Sequence, residues 1–305
     1  MFDNAKNIYI IEEVQGGGLK KYIDDFKQKH TNAFNIQSLK NIMFEKNDIL
    51  FIHNLYFTEI EIKDILELEV KIILCLHDFY WMHEFVMRKF YNDEYPPVHT
   101  NYLRENICID VNIIKLFKKA KHIICPSIFV FEHYKKYFNT DNFIYTPHDD
   151  IDIHFSNHLN IKIKNNIINV GVLHSLTKCK GLELIDFLKQ NITNYKNYDI
   201  RYLIVNKNID KYDENEDIKN IIIKHSIHLT TFLNIWGETY SYCLSKVLNV
   251  GIPILYNNIG SFKERIPNNE KYFKVFENEK DVYDYEILKN KFYEILDYVI
   301  EKQNV

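Results

Sequence analysis

Hydrophobic positions in this chain fall into short runs separated by amphipathic stretches, the pattern of a sheet buried on both faces with helices linking its strands. Residues 7–11, 48–52, 71–76 and 122–125 are such runs and predict buried parallel strands. Behind the first come Gly16, Gly17 and Gly18, then apolar positions at helical spacing over residues 19–29, so a strand, a glycine loop and a helix are expected in order. Residues 165–172 restart the same rhythm, with 174–181 as the following loop and 201–205 as another strand. Residues 206–217 are polar and acidic and predict a surface loop, and residues 221–236 leave little room for a further helix. Ile287, Leu288, Phe292, Ile295, Leu296 and Val299 mark a terminal amphipathic helix.

The restart divides the chain into two α/β units, 1–158 and 159–285, with residues 145–164 as their connection and 286–305 as the terminal helix. A length of 305 residues suits two domains of roughly 100 to 200 residues. With 38 basic and 42 acidic residues the net charge is -4, which argues against binding nucleic acid through bulk phosphate attraction. Cys75, Cys108, Cys125, Cys179 and Cys243 are odd in number and scattered, which suggests neither a disulfide framework nor a zinc site and fits a reducing cytoplasm. A signal-peptide pattern is missing at the start, and no apolar run approaches the roughly 20 residues a spanning helix needs. A cytoplasmic protein is expected. Lys115, Lys118, Lys119 and Lys121 lie on an amphipathic stretch that is either a solvated face or a contact for an anionic membrane surface.

Chemistry concentrates in residues 236–267, WGETYSYCLSKVLNVGIPILYNNIGSFKERIP. Glu238 stands at the mouth of a short helix whose apolar positions run over 240–248. Thr239 and Ser241 are capping residues, Gly251 and Pro253 end the helix, and a buried strand follows at 254–256. A helix start offers unpaired N–H groups and a positive dipole end, so a diphosphate fits there, held by amides near Thr239, Tyr240 and Ser241 while Glu238 accepts from sugar hydroxyls. The Gly16–Gly18 loop allows close backbone approach to a ligand, as it would to a plain tight turn. His77 and Asp78 close the run 71–76 and open Phe79, Tyr80 and Trp81, whose flat rings suit sugar faces; a capping Asp with a hydrogen-bonded His is the structural alternative. His148, Asp149, Asp150, Asp152, His154 and His158 have ligand chemistry, as do His77, His83 and Glu84, yet neither group shows a recognised metal spacing and no metal is expected. A GxSxG elbow and a P-loop are both lacking.

The 236–267 segment resembles the donor-binding signature of retaining GT-B glycosyltransferases of the family-4 type (glycosyl transferases group 1), in which WPETYSYxLSEALxxGLPV is followed by DIGAxxERI. GGGLKKYIDDF at residues 16–26 is similar to that group's GGGTERHVxDL, and residues 120–137 to its ADRVICPSxFVxxHxxKY. The resemblance implies two Rossmann-like domains, with the terminal helix crossing back to the first. It implies transfer of a sugar from a nucleotide-sugar donor to a glycan, lipid-linked or protein acceptor with retention of configuration, without cofactor or metal. Glu238 would face the donor sugar, Lys180, beside Lys178 and Gly181, would neutralise the departing diphosphate, and His77 would contact donor sugar or phosphate. Asp78, Tyr80 and Trp81 would line the acceptor side. Two departures stand out. Lys246 occupies the position of the family's second glutamate, which grips the ribose, and a lysine has only donors; an arginine common before the lysine is also missing. A non-catalytic relative that binds a nucleotide, a glycan or a partner therefore stays open, as does a GT-B epimerase or phosphorylase.

Overall fold

In a computed structural model of the chain, the structure describes residues 1–11, 17–55, 58–79, 81–82, 109–148, 153–155, 158–205, 217–277 and 281–303. The isoleucine-rich runs become central strands because both faces of each are covered. The first unit, Met1–Asp149, contains β1 (Ile8–Ile11), α1 (Gly17–Lys29), β2 (Ala33–Ile36), β3 (Ile49–Ile52), α2 (Ile62–Glu67), β4 (Lys71–Cys75), α3 (Val111–Lys119), β5 (His122–Cys125), α4 (Ile128–Lys135) and β6 (Phe143–Tyr145). Its sheet is parallel with order β2-β1-β3-β4-β5-β6. Ile8, Ile10, Ile49, Phe51, Ile73 and Cys75 pack there with Ile23 and Phe26 of α1. The strands that the apolar pattern does not announce, β2 and β6, lie at the two edges and are only partly buried. An edge strand needs no continuous apolar run.

Local chemistry sets the helix ends. Asp110 caps α3 through the Asn112 amide, and Ser127 Oγ accepts from the Val130 amide at the start of α4. Lys119 Nζ donates to the carbonyls of Leu66 and Leu68, 2.6 Å from each, and so closes the end of α2. All four lysines read as a basic face are exposed, and Lys119 is tied to the scaffold by those two hydrogen bonds.

The second unit, Asp150–Val305, contains β7 (Ile167–Val172), a 3-10 turn (Lys178–Lys180), α5 (Leu182–Asn191), β8 (Asn194–Tyr195), β9 (Tyr198–Ile204), α6 (Ile218–Lys224), β10 (Ile227–Phe232), α7 (Tyr242–Val250), β11 (Ile254–Tyr256), α8 (Phe262–Arg265), β12 (Tyr272–Lys274) and α9 (Tyr285–Glu301). Its strand order is β12-β11-β10-β7-β9-β8, parallel except for the β8–β9 hairpin. Helix α9 packs on β11, β12 and α5, sending Leu288, Phe292, Ile295, Leu296 and Val299 into one core with Ile168, Val170, Leu184 and Leu188. The two compact units meet between Asp149 and Asp150, and α9 packs in the core of the second.

Strand β10 is the element that hydropathy hides. It reads IHLTTF and is buried throughout, and two of its three polar residues are accommodated by its neighbour: Thr230 Oγ1 donates to the Gly171 carbonyl at 2.7 Å, and His228 Nδ1 accepts from the Asn169 amide at 2.9 Å. Hydrogen bonds across the sheet replace apolarity as the condition for burial.

Candidate functional site

In the second unit β7 is flanked by β9 on one side and β10 on the other, so its crossovers leave in opposite directions. The carboxyl ends of β7 and β10 therefore form a topological switch point, where open α/β sheets bind ligands. Past the end of β7 comes His174, whose ring stacks on Phe232 at 5.2 Å, and past the end of β10 comes Asn234. The loop carrying Lys180 is drawn against β10 at Gly181, which has φ of 83° and where any Cβ would come within 2.1 Å of the Leu233 carbonyl oxygen. Only glycine permits that approach. The Ile235 amide donates to the Cys179 carbonyl at 2.9 Å, tying the same loop from the other side.

Lys180 Nζ then lies 3.4 Å from Glu238 Oε2, with the lysine side chain 33% exposed and the carboxylate 16%. The same oxygen accepts from Asn234 Nδ2 at 2.9 Å, and the Asn234 carbonyl accepts from Asn257 Nδ2 at 2.9 Å. Gly260, with φ of 59°, passes so close that a Cβ there would meet the Glu238 amide nitrogen at 2.5 Å; next to it the Ser261 amide donates to the Glu238 carbonyl at 2.8 Å. Glu238 is thus held at both its main chain and its carboxylate. Its charge raises the Lys180 pKa and keeps the lysine a cation. Burial, and secondarily the Lys180 charge, push His174 down to about 4, so its imidazole is neutral at pH 7. Asn234 Oδ1 and Asn257 Oδ1 are buried without a hydrogen-bond partner among the described residues, as expected where a polar ligand or ordered water completes the set.

Helix α7 presents its start beside this carboxylate. Ser241 is the N-cap, its Oγ accepting from the Leu244 amide at 3.2 Å, and Gly251 ends the helix with φ of 79°. Arg265, from α8, stacks its guanidinium on the Tyr240 ring at 3.8 Å and donates to the Ser241 carbonyl at 3.0 Å and to Ser245 Oγ. The Tyr240 face is therefore covered by Arg265, a brace that sequence reasoning passed over although the ERI motif contains it. Thr239 is buried, and Lys246 is half-buried between Ser245 and Val247 in α7. A fixed carboxylate, the cation paired with it and a capped helix start can together bind a phosphorylated, hydroxyl-bearing ligand.

In the first unit the switch point falls between β1 and β3. Gly16 lies outside the described residues, while Gly17 and Gly18 open α1. His77, just past β4, has its Nε2 2.7 Å from His53 Nδ1, and its ring stacks on His148 at 5.0 Å. Tyr22 of α1 packs on all three imidazoles, at 5.7, 5.1 and 4.3 Å for His53, His77 and His148. Burial pushes His53 far below its ordinary value and His77 to about 3, so both are neutral. Sequence reasoning missed His53, for which the parallel register Ile52↔Leu74 is the missing signal, since it sets the residue after β3 beside Cys75. Asp78 is half-buried, and its carbonyl accepts from Tyr134 Oη at 2.7 Å. Tyr80, His83, Glu84, Asp149, Asp150 and Asp152 lie outside the described residues. Trp81 does not offer a ring face to a sugar: it is 1% exposed and packs edge-on against Phe117 at 6.1 Å, its large apolar indole buried in the core.

No protein-family model and no curated protein sequence matches the chain. Solved structures do. Sucrose-phosphate synthase from Thermosynechococcus elongatus superposes with a TM-score of 0.62 at 9% identity, over 97% of this chain and 91% of that one. Anabaena HepE in complex with UDP-glucose gives 0.56 at 12% identity over 98% and 93%, and a glycosyltransferase from Rickettsia africae 0.51 at 11% over 99% and 97%. At these identities the likeness is one of fold: two Rossmann-like units in the GT-B class.

Proposed function

We propose that this chain is a glycosyltransferase that moves a sugar from a nucleotide-sugar donor to a hydroxyl acceptor with retention of configuration, its donor held by the second unit. The observation that carries the reading is the Lys180–Glu238 pair at the β7/β10 switch point, beside the start of α7. Breaking a sugar–phosphate bond leaves a diphosphate, and a cation plus the positive end of a helix dipole stabilise that charge as it develops. In the donor complex Lys180 turns to the diphosphate, and Glu238, still held by Asn234, accepts from sugar hydroxyls and stabilises positive charge at the reacting carbon. His77, Asp78 and the Gly16–Gly18 loop belong to the acceptor-side unit of this reading. The HepE complex with UDP-glucose supports a UDP-sugar as the first donor class to test; the acceptor class is a glycan, a lipid-linked sugar or a protein.

Thermal unfolding against UDP, GDP, ADP, CDP and TDP tests the pocket. A matching nucleotide at 100 times its Kd adds about 2.7 kcal/mol of stability, a rise of several degrees, and Lys180→Ala removes it. No rise with any nucleotide would sink the reading. With donor and acceptor in hand, Glu238→Gln is expected to lower kcat at least about 100-fold while nucleotide binding persists.

Lys246 favours a second reading, a protein that binds a nucleotide or glycan without transferring it. An enzyme with a relaxed ribose contact gains donor affinity in Lys246→Glu, whereas a non-catalytic relative gains no turnover from that change.

A further inference from the structure

We infer that His53, Cys75 and His77 form a binding site for one zinc-class metal ion in the first unit. One ligand atom from each of these side chains lies within 4.8 Å of the others. The sheet itself brings them together. Cys75 and His77, two apart at the end of β4, project to the same face, and the β3–β4 register continues from Ile52↔Leu74 to set His53 beside Cys75. That face lies under α1, where Cys75 packs with Ile23 and Phe26 and Tyr22 covers the imidazoles.

A zinc ion bound at about 2.0–2.1 Å to nitrogen and 2.3 Å to sulfur holds its tetrahedral ligands roughly 3.3–3.7 Å apart. The three ligand atoms, within 4.8 Å of one another, close by up to about 1 Å, and the His53–His77 contact of 2.7 Å opens by less than about 1 Å as the proton between the rings moves to the far nitrogen of the ring that donates it. Without an ion the two rings share one hydrogen bond and Tyr22 bonds the Cys75 thiol. Two imidazoles and a thiol are borderline-to-soft donors, which select zinc over magnesium, calcium or manganese. Three protein ligands leave one of zinc's four positions open. Binding replaces the Cys75 thiol proton, which leaves to solvent, and the ion clamps the ends of β3 and β4. On this assignment His77 serves the first unit by holding an ion rather than by touching the donor, and the assignment does not depend on the transferase reading.

The test is a cobalt titration of the full-length, chelator-treated protein, cobalt standing in for zinc. One equivalent is expected to produce tetrahedral visible bands and a near-ultraviolet thiolate-to-cobalt charge-transfer band, both displaced by zinc. Cys75→Ser is expected to lose the charge-transfer band and His53→Gln to lose stoichiometric binding, while Cys179→Ser and Cys243→Ser keep both; circular dichroism checks each fold. If Cys75→Ser does not fold, His77→Gln reads the same band. A folded wild-type protein without that band, cobalt bound without thiolate character, or a band that survives Cys75→Ser or His77→Gln overturns the site.

Discussion

Two glycines decide where the charged residues of the second unit stand. Gly181 lets the Lys180 loop lie against the Leu233 carbonyl, and Gly260 lets the loop after β11 lie against the Glu238 amide, each with a positive φ that a side chain would strain. Gly260→Ala must push the Glu238 main chain away. It is expected to lower stability by about 2–4 kcal/mol in urea unfolding and to weaken binding of the nucleotide sugar in the same preparation. A substitution that lowered stability but left nucleotide-sugar affinity unchanged would separate Glu238 from the sugar. Both glycines were visible in the sequence within KG and IGS, but their partners were not: the clash is with main chain roughly fifty and twenty residues away in sequence, at Leu233 and Gly237–Glu238.

Helix α7 shows how much of an element can be read from its ends. Ser241 and Gly251 set its limits in the sequence, and the structure starts it at Tyr242 with Ser241 as the cap. Ser241→Ala is expected to cost about 1 kcal/mol through loss of the bond to the Leu244 amide. Arg265 acts differently, because it secures the same helix start from α8 with a stacked, two-armed contact. Arg265→Lys keeps the charge but not the planar fork, so it is expected to weaken nucleotide binding several-fold with a smaller effect on unfolding. Calorimetry beside a melting curve separates the two. No local pattern marks Arg265 as a brace, just as none marks β10 as a strand, since both depend on partners supplied by other elements.

For the molecule as a whole, buried neutral histidines set the response to acid. His53, His77 and His174 have pKa values below the ordinary 6.5, with His77 near 3 and His174 near 4, all chiefly through burial. Below pH 6.5 the unfolded chain takes up protons that the folded chain refuses, so stability is full above that pH and falls toward pH 4. One histidine shifted as far as His174 contributes about 3 kcal/mol across that window. Urea midpoints measured from pH 7.5 to 4 are expected to fall, and His174→Gln to flatten the slope; an unchanged slope would show that His174 is protonated without penalty. Among the described residues no helix is long and apolar enough to cross a membrane.

The alternation of apolar runs and amphipathic stretches determined the class of this protein, because central parallel strands must be apolar on both faces and helix ends must be capped by residues that stand next to them. Most central strands, the limits of α7 and the positions of Lys180 and Glu238 in strand-end loops follow from such short-range rules. Only the tertiary structure decided that Lys180 and Glu238 meet, that Trp81 is core, that polar β10 lies in the middle of a sheet, and that His53 joins Cys75 and His77. Each of those depends on register and on crossover direction between segments tens of residues apart, and the physical terms that set them, burial and hydrogen-bond satisfaction by a distant partner, leave no periodic mark on the chain.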